Sequence, residues 1–144
     1  MTGNEHERLH RAIRLAMETR ANAYAPYSGF AMGAAVVGID GRTTRGVLVE
    51  NVSLGLSMCA ERVALFTAVT EAIAPAVLAL CAPRTGGQLT FPCGACLQVG
   101  LEVAGTELVV VAVDPDGVHE QTALITLLTR APKRHTPTTR PATG

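Results

Sequence analysis

Two short segments, Met58-Cys59-Ala60-Glu61-Arg62 and Phe91-Pro92-Cys93-Gly94-Ala95-Cys96, restrict what this chain can fold into more than any other feature. Each puts cysteine at the expected start of a helix, where unpaired N–H groups and roughly half a positive charge favour thiolate over thiol. A Cys-x-x-Cys pair clasps one ion from a single turn, and a third thiolate can reach it from another helix. If Cys59, Cys93 and Cys96 share an ion, the fold must bring two helix starts together. Three protein ligands leave one tetrahedral position open, as in catalytic sites. Zinc suits such thiolates and has no redox chemistry of its own.

Glu61 stands two residues after Cys59, near the same helix end but turned from the ligand direction. A carboxylate there belongs beside a metal-activated water and not on the metal. It can take a proton from water and pass it to a leaving amine. Three thiolates on Zn2+ leave a net charge of minus one, which Arg62 would offset by donating to the sulfurs.

The rest of the chain supplies the frame. Over residues 5–24, Leu9, Ala12, Ile13, Ala16, Met17 and Ala23 recur near helical spacing, until Ala25-Pro26-Tyr27-Ser28-Gly29 breaks the pattern. Residues 31–39 and 44–51 read as a hairpin turning at Asp40-Gly41. A helix over 59–72 stops before Pro75, and 76–82 is a short apolar run of the buried-strand kind. Pro92 is expected in the first turn of a helix over 93–103 ended by Gly105. A strand over 107–113, a turn at Asp114-Pro115-Asp116-Gly117 and a short helix over 122–128 follow. The sum is an α/β fold, one mixed sheet covered by helices, with a single domain over 1–130. Pro132, Pro137 and Pro141 make 131–144 read as a loose tail.

Charge and composition narrow the partner. Twelve basic residues balance twelve acidic ones, so no basic face is available to neutralise phosphates, and nucleic acid is excluded as the expected partner. Aromatic residues make up 3% with no Trp, too few for a stacking platform. No apolar run approaches the roughly 18 residues of a membrane span, and the N-terminus lacks a secretory pattern. The expected setting is the cytoplasm, where four cysteines read as ligands, catalytic groups or core residues before disulfides.

Cys-Ala-Glu followed by Pro-Cys-x-x-Cys resembles the signature of zinc-dependent cytidine deaminases. Residues 25–35, Ala-Pro-Tyr-Ser-Gly-Phe-Ala-Met-Gly-Ala-Ala, are similar to the stretch these enzymes carry before their first strand. Val49-Glu50-Asn51-Val52-Ser53 resembles their nucleoside-binding strand, and Cys59-Ala60-Glu61-Arg62 the small tetrameric branch. The resemblance covers roughly residues 10–113. It implies a three-layer α/β/α sandwich, a Zn2+ cofactor, a homotetramer and hydrolytic conversion of a cytosine nucleoside or analogue to its uracil form with loss of ammonia. It further implies that Phe30 stacks on the pyrimidine, that Glu50 and Asn51 belong to the sugar strand, and that the Ala60 carbonyl accepts from the exocyclic amine.

The sugar strand departs from the family's Asn-x-Glu-Asn: here it reads Leu48-Val49-Glu50-Asn51, and Leu48 can neither donate to nor accept from a hydroxyl. Leu54 replaces an aromatic residue, and Leu97 an arginine. Blasticidin S deaminases resemble the family in their zinc motifs and also lack that Asn, and Ile125-Thr126-Leu127-Leu128 is compatible with them. A purine analogue as substrate, or a catalytically silent zinc-scaffolded nucleoside-binding protein, are the rival functions. The three cysteines could instead be core thiols or a redox pair. Cys81, alone in an apolar strand, reads as core, with a fourth-ligand role as its rival. Phe30 as packing, Tyr27, Ser28 and Asn51 as turn residues and Arg62 as a surface charge are the plainer readings of those positions.

Overall fold

The computed structural model describes residues 2–133; residues 134–144, with most of the expected tail, lie outside them. The described residues form a sheet in the order β2-β1-β3-β4-β5 with helices on both faces. Strand β1 (Gly33–Gly38) turns at Asp40-Gly41 into β2 (Thr43–Val47) and pairs on its other side, again antiparallel, with β3 (Pro75–Cys81). The β3 strand runs parallel to β4 (Val109–Val113), which returns antiparallel as β5 (His119–Ala123). The sheet is mixed, as expected.

Alternation along β1 divides the core. Ala35 and Val37 face α1 (Gly3–Thr19), meeting Leu9, Ala12, Ile13 and Ala16. Ala34 and Val36 face α2 (Ala60–Thr70) and α3 (Gly94–Ala104), meeting Ala64, Leu65, Ala68 and Leu101. The layers are α/β/α. Leu65, Leu78, Leu80 and Leu124 are fully buried, each stabilising the fold by roughly 1.5–3 kcal/mol. Thr2 caps α1 in a reciprocal pair with Glu5, each accepting from the other's backbone N–H.

Several boundaries differ from expectation. Helix α1 ends at Thr19, not near Tyr24. After a single 3-10 turn at Arg20–Asn22, Tyr24 pairs through its backbone with Leu48 and Glu50. Strand β2 stops at Val47, because Val49 leaves β1 and bridges to Tyr24 on one side and Met58 on the other. Cys59 and Cys93 are the N-caps of α2 and α3 and not their first helical residues, so Pro92 lies outside the helix. The final helix is only α4 (Leu124–Leu127), preceded by the unexpected β5. Of the expected tail, Ala131 packs against the α3-side core and Pro132 accepts from Gln98 Nε2 at 2.9 Å.

Candidate active site

Helices α2 and α3 begin side by side. As N-caps in extended backbone, Cys59 and Cys93 stand at the positive ends of their helices, and Cys96 lies in the first turn of α3. The three sulfurs lie within 4.8 Å of one another, with Cys93 Sγ and Cys96 Sγ 3.6 Å apart. A tetrahedral ion with Zn–S bonds of about 2.3 Å separates its thiolates by about 3.8 Å, so the cluster fits zinc. Cys96 is buried, Cys59 half-buried and Cys93 exposed, which leaves the fourth position approachable from the Cys93 side. Cys81 is buried in β3, apart from this group, which excludes it as a fourth ligand.

The electrostatics favour a metal-binding thiolate. A hydrogen bond from Cys96, then Arg62, pull the Cys59 thiol down to about 5 against the opposing effect of burial. Cys96 is pushed up by that same hydrogen bond and by burial. Arg62 Nη2 donates to Cys59 Sγ at 3.3 Å, and that bond holds its guanidinium more firmly charged than usual.

Glu61 is 1% exposed, and its Oε2 has no hydrogen-bond partner among the described residues. Burial pushes its carboxyl up to about 7, against its own backbone N–H, and the Cys59 thiolate adds to the rise. A buried carboxyl beside three converging thiolates, with one oxygen unclaimed, is equipped to pass a proton in either direction.

The remaining candidates have contacts of their own. Phe30 follows Gly29, whose φ is +69°; it is half-buried and belongs to neither apolar cluster of the described residues. Glu50 Oε1 accepts from the Tyr27 and Ser28 N–H groups at 3.0 and 3.2 Å, tying the Phe30 loop to the strand segment after β2. Asn51 Oδ1 accepts from Ser53 N at 2.9 Å, closing its own turn. Leu48 is half-buried with both backbone groups paired, to Met32 O and Tyr24 N. Leu97 packs in the core and Leu54 is 81% exposed. Ala60 opens α2 fully buried, and its carbonyl lies against Gly46 of β2.

Gly46 is the residue that sequence reasoning missed. A Cβ there would stand 2.3 Å from Ala60 O and 2.6 Å from Ala64 N. Only glycine lets α2 seat so closely, and that seat fixes the height of Cys59 and Glu61. The available signal was a glycine inside a strand, which marks close backbone approach.

Fold and site together define a metal-dependent enzyme in which two helix starts offer three thiolates and a buried carboxyl lies in the first turn of one of them. The family described as the cytidine and deoxycytidylate deaminase zinc-binding region matches residues 6–113, which include both cysteine segments, and the chain belongs to it. It is 45% identical over 95 residues to a cytidine deaminase of Mycobacterium tuberculosis, spanning 66% of this chain and 71% of that protein. A probable cytidine deaminase of Dictyostelium discoideum is 40% identical over 110 residues, spanning 76% and 74%. Among solved structures, the cytidine deaminase of Burkholderia pseudomallei superposes with a TM-score of 0.78 at 40% identity, covering 91% of this chain and 99% of that one.

Proposed function

We propose that the chain catalyses hydrolytic deamination of a cytosine nucleoside, cytidine to uridine, with release of ammonia. The single observation that carries this is Glu61: buried, with one oxygen unpartnered, beside three converging thiolates. Zinc, when bound, supplies the Lewis acidity that makes water a nucleophile near neutral pH. The residues of the chain do the rest. Cys59, Cys93 and Cys96 hold the ion, and Arg62 offsets their charge. Glu61 takes one proton from water and delivers it to the ring nitrogen, where it stays in the product, and then passes the second, from the hydroxyl now on C4, to the departing amine, as a C–O bond forms and a C–N bond breaks at C4. Phe30 stacks on the ring, and Glu50 faces the sugar with Asn51 bracing its turn; the Ala60 carbonyl, expected to accept from the exocyclic amine, is turned to Gly46 instead.

The relatives are cytidine deaminases, which favours the cytosine ring over other amino-heterocycles. An intact buried carboxylate argues against a silent binding scaffold. We also read the chain as a cytoplasmic homotetramer. Exposed Val52, Leu54 and Leu56 beside the site support association, and no described helix is long and apolar enough to cross a membrane.

The test is ammonia release from cytidine by zinc-loaded protein, with Glu61→Gln run in parallel. The variant should keep its zinc and lose roughly 10²–10⁴-fold in rate, the typical share of a proton-transferring group. A variant as fast as the parent would sink the reading.

A further inference from the structure

The Val49–Met58 bridge makes both of its backbone bonds, at 3.0 and 2.9 Å. Extending that antiparallel register by one residue sets Leu48 opposite Cys59, at a non-hydrogen-bonded position where facing side chains stand closest. Alternation along the chain agrees. Gly46, two residues before Leu48, lies directly beneath Ala60 and Ala64 of α2, and Glu50, two residues after it, shares the same side. Leu48 therefore flanks the metal cluster, and Glu50 stands one step further out.

The polar capacity of this wall is small. Glu50 spends Oε1 on the Tyr27 and Ser28 N–H groups, and hydrogen bonds led by Ser28 hold its carboxyl below the usual range. As a carboxylate it can only accept. Leu48 brings an isobutyl group, and its N–H and C=O are already committed to Met32 and Tyr24. Asn51, the next residue along, alternates to the opposite side and turns its oxygen into its own turn. One acceptor and one apolar side chain thus face whatever is attached to a base whose ring has reached Glu61.

A ribose presents two neighbouring ring hydroxyls, and each needs a partner once it leaves water. We propose that Leu48 sets the sugar specificity of the site, so that the chain prefers a cytosine nucleoside lacking one of the two ring hydroxyls over cytidine. The inference rests on the deaminase reading above. A hydroxyl held without a partner against Leu48 costs about 1–3 kcal/mol, which is roughly 5- to 150-fold in kcat/KM.

The experiment compares kcat/KM for cytidine, 2′-deoxycytidine and 3′-deoxycytidine on the zinc-loaded full chain and on Leu48→Asn and Leu48→Met. One of the deoxy nucleosides should lead cytidine by a factor in that range. Leu48→Asn should shrink the ratio at least about fivefold, and Leu48→Met, which stays apolar, should keep it. If Leu48→Asn does not accumulate folded, Leu48→Thr supplies the polar substitution. Cytidine turned over as well as both deoxy nucleosides, or a ratio that a polar residue at 48 leaves unmoved, overturns the inference alone. Ammonia from none of the three overturns the deaminase reading and this inference with it.

Discussion

Substituting alanine for Gly46 tests whether the contact between β2 and α2 holds the site together. The new methyl would sit 2.3 Å from Ala60 O, 2.6 Å from Ala64 N and 2.8 Å from Val63 Cβ. Two of these are backbone atoms of a helix, which cannot rotate away as a side-chain tip can. Reaching ordinary contact at 3.4 Å requires α2 to withdraw by about 1 Å, and overpacking of this kind costs typically 1–3 kcal/mol. For a domain of this size, that lowers the melting temperature by roughly 3–12 °C. Because Cys59 caps α2 and Glu61 lies in its first turn, the same movement draws both from Cys93 and Cys96. Misplacement by about 1 Å can cost on the order of 100-fold in rate. Calorimetry, zinc content and ammonia release on Gly46→Ala should therefore all fall together. A variant that melts lower yet keeps full zinc and full rate per folded molecule would show that α2 does not carry the site's geometry.

Gly100→Ala is the contrasting case: its Cβ would meet only side-chain tips, Leu124 Cδ1 at 3.0 Å and Leu108 Cδ2 at 3.2 Å. Helix propensity gains roughly 0.5–1 kcal/mol there, so its melting temperature should stay close to the parent's. Chelation should abolish ammonia release and lower the melting temperature, and restored Zn2+ at a hundred times its Kd should return about 2.7 kcal/mol. In the zinc-free protein, mass spectrometry after brief alkylation should find Cys59 and Cys93 labelled and Cys81 protected, since Cys59 is half-buried with a lowered thiol, Cys93 is exposed and Cys81 is buried in β3. Asp114 would be raised by burial, but the Val118 N–H, Arg84 and the Asp116 N–H together lower it. Its stabilising effect is present above the unfolded carboxyl range and lost as pH falls through its folded pKa. Thermal melts taken from pH 6 downward should thus decline more steeply for the parent than for Asp114→Asn, and parallel curves would refute the assignment.

The cysteine segments disclosed both helix starts and the metal cluster because their chemistry is local: one turn of α3 carries two ligands. The hairpin was equally legible, since Asp40-Gly41 encodes its turn in two residues, and Gly41 adopts a φ of +87°. Strand β5 was not. Its residues His-Glu-Gln-Thr-Ala show no apolar alternation, and it forms only because β4 offers a free edge after the Asp114–Gly117 turn. The early end of α1 and the Tyr24–Val49–Met58 pairings depend on residues far apart in the chain, which periodicity does not encode. Among site residues, Glu61 was readable from its spacing, whereas its burial and unpartnered oxygen came from the packing of α2.

The polar character of β5 that hid it from periodicity has its own effect once the protein is crowded among copies of itself. A strand at the end of a sheet leaves a row of backbone donors and acceptors that a foreign strand can adopt, the usual beginning of fibrous aggregation. Here that row is five residues long, and His119, Glu120 and Gln121 beside it are all exposed. A carboxylate and two well-hydrated side chains would have to be stripped of water before another strand could dock. The outer margin of the sheet is thereby a poor template for misassembly.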